Sequence, residues 1–201
     1  MKSRLKISIF GILMVLILMF GDNYKYTVIA LCAALVHESG HIIAALILKM
    51  KIDGFTLNIL GAKIGVSLPM YSYKKEMLLS LSGPVANIVS GIISLFVFKS
   101  SIAQTNTYLV FFTIASFFLA ILNLLPIKGF DGGRIFICLS APLLDAYTPE
   151  KWLERLSFLF VFILWVISVY LMLRIGSSLT LFVFSTALFA ELFLSSDGFK
   201  K

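Results

Sequence analysis

Long apolar runs alternate with short polar breaks along this chain, and the run lengths set the first expectation. Six runs are nearly free of charge: 5–20, 27–48, 76–98, 107–126, 152–173 and 177–195. A helix of about 20 apolar residues spans the hydrocarbon core of a bilayer. The pattern therefore predicts an all-α membrane protein, a six-transmembrane-helix bundle. One connection breaks the rule. Between residues 50 and 75 the chain reads FTLNIL, then Gly61-Ala62, then KIGVSL. Each half is short, rich in β-branched or aromatic residues and partly alternating, which predicts a small β-hairpin between the second and third spans.

Composition agrees. Of the 201 residues 60% are hydrophobic and 13% charged, too little charge for a soluble domain. The length suits one integral-membrane domain, 1–201, with no internal repeat and no second soluble domain. The basic start and apolar core of residues 1–20 resemble a signal peptide, but GDNYKY offers no small-residue cleavage site, so a retained first span is expected. The net charge of +7 does not point to nucleic acid. The basic residues sit at the ends of apolar runs, with no basic stripe carrying interleaved aromatics. Cytoplasmic loops are enriched in Lys and Arg. With the N-terminus inside, 14 of the 17 basic residues face the cytoplasm; only Lys25, Lys99 and Arg174 face out. Both termini are expected to be cytoplasmic. Cys32 and Cys138 lie among apolar residues without a CxxC spacing and read as buried small hydrophobes.

The chemistry concentrates in LVHESGHIIAALIL, residues 35–48. His37 and His41 are the only histidines and stand four apart, on one face of a helix and one turn from each other. Two imidazoles so placed can share a metal ion, and Glu38 can reach a water beside it without binding the metal. This is the HExxH pattern of zinc hydrolases. Ionisable groups within spans are costly and usually functional. Catalytic zinc takes three protein ligands and keeps one open position. With no third histidine, the remaining ligand should be a carboxylate or a cysteine, and five aspartates are available. Asp22 falls at the outer end of the first span, Asp53 lies beyond the histidine helix, and Asp145 and Asp197 have ordinary loop and tail contexts. Asp131 follows NLLP at the end of the fourth run, where Pro126 stops the helix, and is flanked by Gly129, Gly132 and Gly133. Irregular backbone at membrane depth is tolerated where it lines a cavity. The second and fourth runs both go from outside to inside, so His37, His41 and Asp131 all fall in the inner half of the membrane. In SLSGPVANIVSG, residues 80–91, Ser82, Pro84 and Asn87 interrupt the third run. The segment reads either as a packing surface with Asn87 facing the site or as a Pro-kinked helix start.

HESGH, SGPVAN and NLLPIKGFDGGR, taken in this order, resemble the site-2 protease family of intramembrane zinc metalloproteases, over residues 35–134. The resemblance implies one zinc ion per chain on His37, His41 and Asp131, with Glu38 as general base. It implies that Asn123 helps position the scissile peptide or its oxyanion, and that Asn87, Gly61 and Pro126 are candidates for positioning substrate. It makes the hairpin a membrane-associated element offering an edge strand to an unwound substrate. The short N-terminus is similar to the compact bacterial branch, which includes a sporulation protease that processes a pro-sigma factor. The implied function is regulated intramembrane proteolysis of a membrane-associated protein substrate, in a bacterial cell membrane, with a regulatory membrane protein as a further partner. No PDZ or CBS domain is expected. Gly129 and Phe130 stand where many relatives carry proline and leucine, which implies a looser loop before Asp131. Two rivals remain at this point. A metal transporter would need polar residues across the bilayer, whereas TVIALCAALV and YLVFFTIASFFLA are almost wholly apolar. A catalytically inactive metal-binding scaffold would have little use for a complete HExxH and Asp-Gly set.

Overall fold

The computed structural model describes residues 6–7, 24–58, 61–67, 72–99, 107–144, 148–175 and 179–195. In chain order the elements are β1 (Lys6–Ile7), α1 (Tyr24–Ile47), β2 (Lys51–Asn58), β3 (Gly61–Ser67), α2 (Tyr73–Lys99), α3 (Thr107–Leu124), α4 (Asp131–Ser140), α5 (Thr148–Ile175) and α6 (Leu179–Ser195). The helices α1, α2, α3 and α5 are long and apolar enough to cross a membrane. The apolar part of α6, Leu181–Ala190, is shorter. Six spans were expected; by length and composition four qualify among the described residues. The first expected span, 5–20, is not seen as a helix where it is described. Lys6 and Ile7 are extended because they pair in parallel with Thr56 and Leu57 on the edge of β2, and residues 8–23 lie outside the described residues.

The strands β2 and β3 pair antiparallel, from Lys51 opposite Ser67 to Asn58 opposite Gly61, with an irregularity between Ile52 and Gly54. The sheet order is β1-β2-β3. The chain turns from α1 into β2 by a Schellman ending. Met50 N–H donates to the Ala45 carbonyl at 2.9 Å and Lys49 N–H to that of Leu46 at 3.1 Å. Lys49 takes the left-handed backbone this requires, φ 53°, and Met50 packs on Ala45 and Leu79, the apolar contact that accompanies such a motif.

Helices α1, α2 and α3 pack together, α2 antiparallel to its neighbours. At one end Tyr26 of α1 meets Phe111 of α3, ring centroids 4.7 Å apart. Near the other, Gly40 of α1 lets α2 come close: a Cβ there would lie 2.5 Å from the Ser82 carbonyl and 2.7 Å from Ala86 Cβ. Small residues at such crossings let helix backbones approach. Helix α2 runs unbroken through Pro84, so the SGP segment does not interrupt it; only the bond that would reach the Ser80 carbonyl is missing.

Helix α4 lies in a stretch expected to be a connection. Asp131-Gly-Gly reads as a turn because glycine is a poor helix former. The structure starts a helix there because the site needs those glycines small. A Cβ on Gly132 would collide with the Leu124 and Leu125 carbonyls, and one on Gly133 with that of Ile127. The turn before it is held from α5: Lys128 N–H donates to Ser157 Oγ at 2.7 Å. Leu122, Ile127 and Phe130 join Val161 of α5 and Leu188 of α6 in one buried apolar cluster. Helices α5 and α6 are tied by a Ser168–Ser185 hydroxyl contact of 2.7 Å and by Trp165 Nε1–H donating to Thr186 Oγ1 at 3.3 Å. Cys138 is buried as expected; Cys32 is not, and lies exposed on α1.

Candidate metal centre

His37 and His41 project from α1 toward the start of α4, where Asp131 is the first helical residue. The three side chains are 6%, 9% and 8% exposed. His37 Nε2 lies 3.0 Å from Asp131 Oδ2, His41 Nε2 lies 3.2 Å from the same oxygen, and the two Nε2 atoms are 3.3 Å apart. The rings meet edge to face, at 83°. These side chains form a group able to hold a metal ion.

The dimensions of this triangle suit a tetrahedral metal ion. Bonds of about 2.0–2.1 Å from zinc to nitrogen or oxygen, at tetrahedral angles, separate neighbouring donor atoms by about 3.3 Å. The observed sides are 3.0, 3.2 and 3.3 Å. The outer contacts fit as well. His41 Nδ1 lies 2.8 Å from the Leu79 carbonyl. A carbonyl only accepts, so Nδ1–H donates to it and His41 Nε2 presents its lone pair to the triangle. An orienting partner behind each ligating imidazole is the usual arrangement of a metal site. Ser82 Oγ lies 3.2 Å from the same Nδ1 and itself donates to the Leu79 carbonyl. One carboxylate oxygen of Asp131, Oδ2, faces both rings. The charged carboxylate is the form that ligates.

One wall residue, Gly83, was not foreseen. A Cβ on Gly83 would collide with His41 Nε2 and come within 2.8 Å of His37 Cε1, so the absence of a side chain there leaves room for both rings. Gly129 has φ 103°, a backbone closed to proline, whose ring holds φ near about −65°. Gly129 and the buried Phe130 shape the turn that delivers Asp131. The SGP tripeptide beside the histidine helix was the available signal for Gly83. Nothing in the sequence marks the Leu79 carbonyl.

The other sequence candidates divide. Asn87, fully buried, places Nδ2 3.3 Å from His37 Nδ1 and so joins the site. Glu38 is half-buried, and its charge acts on His41. Asn123 sits in the last turn of α3, its Nδ2–H donating to the Leu119 carbonyl at 3.0 Å; the contacts described for it do not join it to the triangle. Pro126 lies in the turn between α3 and α4. Gly61 begins β3, opposite Asn58.

The fold is helical and suited to a membrane, and two histidines and an aspartate converge inside it. Residues 89–167 match the model of peptidase family M50. The match takes in Asn123, Pro126 and Asp131 and begins beyond His37, His41 and Asn87. Among solved structures the chain is similar to the site-2 protease from Methanocaldococcus jannaschii, with a TM-score of 0.72 and 19% identity over 96% of this chain and 90% of that one. At that identity the likeness speaks for the fold. No curated protein matches the sequence. The family match covers less than half of this chain, and the shared fold agrees with it.

Proposed function

We propose that this chain is an intramembrane zinc metalloprotease that cuts a peptide bond in or near a membrane segment of a regulatory protein, as one integral-membrane domain. The observation that carries this reading is the triangle of His37 Nε2, His41 Nε2 and Asp131 Oδ2, closed to the dimensions of a tetrahedral site. His37, His41 and Asp131 would hold one zinc ion. Zinc supplies a lowered pKa for water, towards about 7, and a positive charge for the developing oxyanion. Glu38 removes a proton from the attacking water as its oxygen bonds to the peptide carbon. The carbon–nitrogen bond then breaks, and Glu38 returns the proton to the leaving amine. Asn123, one helical turn before the ligand loop, positions the substrate carbonyl, with Pro126 shaping the turn beneath it and Gly61 at the hairpin tip.

A peptide bond inside a helix is shielded, so the substrate must open locally, and its freed backbone groups need partners. The hairpin is the element suited to supply them by strand addition. Since β1 lies along β2, the strand offered is β3. A pro-sigma factor or a membrane-anchored regulator is the substrate class this reading favours, with a second membrane protein controlling access.

The test uses detergent-purified protein and membrane peptides. Glu38→Gln is expected to keep its zinc and lose cleavage by at least about 100-fold, the scale of a lost general base. Asp131→Asn is expected to lose zinc as well. Cleavage by Glu38→Gln at the wild-type rate would remove the base assignment, and an unaltered zinc content in Asp131→Asn would remove the third ligand. Zinc bound with no peptide cut by the wild type would favour the alternatives, a catalytically inactive metal-binding scaffold or a metal transporter.

A further inference from the structure

The two histidines of the triangle are held unequally. His41 Nδ1 faces a backbone carbonyl, that of Leu79. A carbonyl cannot donate, so the proton of His41 is fixed on Nδ1 and its Nε2 is always free to ligate. His37 Nδ1 instead faces the carboxamide of Asn87, with Nδ2 at 3.3 Å. A carboxamide has nearly the same shape either way round, and a half-turn exchanges oxygen for nitrogen. With Nδ2 toward the ring, His37 Nδ1 accepts and the ring proton belongs on Nε2, the atom the metal requires bare. With the oxygen toward the ring, Nδ1–H donates and Nε2 presents a lone pair.

Ligation selects between these, because the metal needs Nε2 bare. Asn87 is wholly buried in the middle of α2, and its Oδ1 has no hydrogen-bond partner among the described residues. The half-turn that frees His37 Nε2 gives this oxygen the ring N–H as its donor and moves the amide N–H groups into the place the oxygen leaves. We infer that Asn87 is the positioning residue for His37: its side-chain oxygen accepts from Nδ1–H, holds the ring in the ligating tautomer and so sets the affinity of the site for its metal. This rests on the reading of His37, His41 and Asp131 as that site. Asn87 touches neither the metal nor the substrate; it works through the imidazole.

The experiment is a zinc titration of the full-length, detergent-purified protein in competition with a chromogenic chelator. Asn87→Leu keeps the volume and removes the acceptor. It is expected to weaken zinc binding about 10–100-fold, the usual consequence of losing a partner behind a ligand. Asn87→Asp keeps an oxygen in the same place and, when ionised, can only accept. It is expected to restore binding to within a few-fold of the wild type, a rescue that a mere packing role would not produce. Zinc bound by Asn87→Leu as tightly as by the wild type overturns the inference. So does Asn87→Asp binding as poorly as Asn87→Leu, because the amide would then act as a donor. If the wild type itself holds no zinc, or Asp131→Asn binds as well as the wild type, the metal-site reading falls and this inference with it. If both of those controls behave and only the Asn87 variants deviate, the inference alone fails.

Discussion

At the scale of single residues the site is built as much by missing atoms as by ligands. Gly83 stands against the faces of both imidazoles, and any side chain there would meet His41 Nε2. Gly91, two turns further along α2, is different: a Cβ would lie 3.3 Å from Phe117 Cζ, the end of a side chain that can yield. Gly83→Ala is therefore expected to displace a ligand and lower peptide cleavage by about 100-fold, the cost of an ångström-scale misplacement, with a parallel loss of zinc. Gly91→Ala should retain most of its activity. Equal activity of the two variants would show that Gly83 does not wall the site. The meeting of His37, His41 and Asp131 was legible in the sequence, because HExxH spacing follows from the helical turn and only one aspartate had the context of a broken helix. Their supports were less so. The Leu79 carbonyl that orients His41 belongs to the backbone and carries no residue signature. Asn123, assigned by resemblance, turns its amide nitrogen to Leu119, a contact that no motif announces.

At the scale of elements, the instructive case is α4. Helix propensity and close packing make opposite demands on Asp131-Gly-Gly, and packing prevails. Ala in place of either glycine would favour an isolated helix by about 1 kcal/mol. In the fold its Cβ would run into backbone carbonyls of residues 124, 125 and 127, and backbone cannot step aside as a side chain can. Overpacking of this kind costs about 1–3 kcal/mol or more. Gly132→Ala and Gly133→Ala are thus expected to lower the thermal midpoint and the zinc content together, since the same turn carries Asp131. A rise in the midpoint would mean that α4 does not seat on the α3–α4 turn as described. The same conflict explains what the sequence concealed: a local reading of Asp-Gly-Gly gives a turn, and only the carbonyls packed against it make glycine a requirement of the helix. The ends of α1, α2 and α3 were legible to within a few residues, because hydrophobic length and the stop at Pro126 act locally. The irregular Gly129 turn was not, since the φ it adopts depends on Phe130 burying itself among α3, α5 and α6.

For the molecule as a whole, the open question is which side of the membrane the site faces, and charge and geometry bear on it separately. His37 and His41 stand ten and six residues before Ile47, about 15 and 9 Å from that end of α1 at 1.5 Å per residue. The opposite end, at Tyr24, is about 20 Å from the nearer histidine on the same rise. The site thus belongs to the half of the bundle that ends in the hairpin. At that end α1 hands over to β2, α2 begins, α3 gives way to the Asp131 turn, and Ser157 near the start of α5 takes the Lys128 N–H. Lys49, Lys74, Lys75, Lys128, Arg134, Lys151 and Arg155 lie in or beside these segments, whereas Lys25, Lys99 and Arg174 mark the far end. Because cytoplasmic flanks are enriched in Lys and Arg, the hairpin end is expected to face the cytoplasm and to hold the site in the inner half of the bilayer. Single cysteines test this in intact cells, on a Cys32→Ser, Cys138→Ser background, with a maleimide that cannot cross the membrane. Thr107→Cys, exposed at the start of α3, should be labelled without lysis; Lys128→Cys, exposed beside the ligand turn, should be labelled only after it. The reverse pattern would put the triangle in the outer half and leave a cytoplasmic regulator without direct access to it.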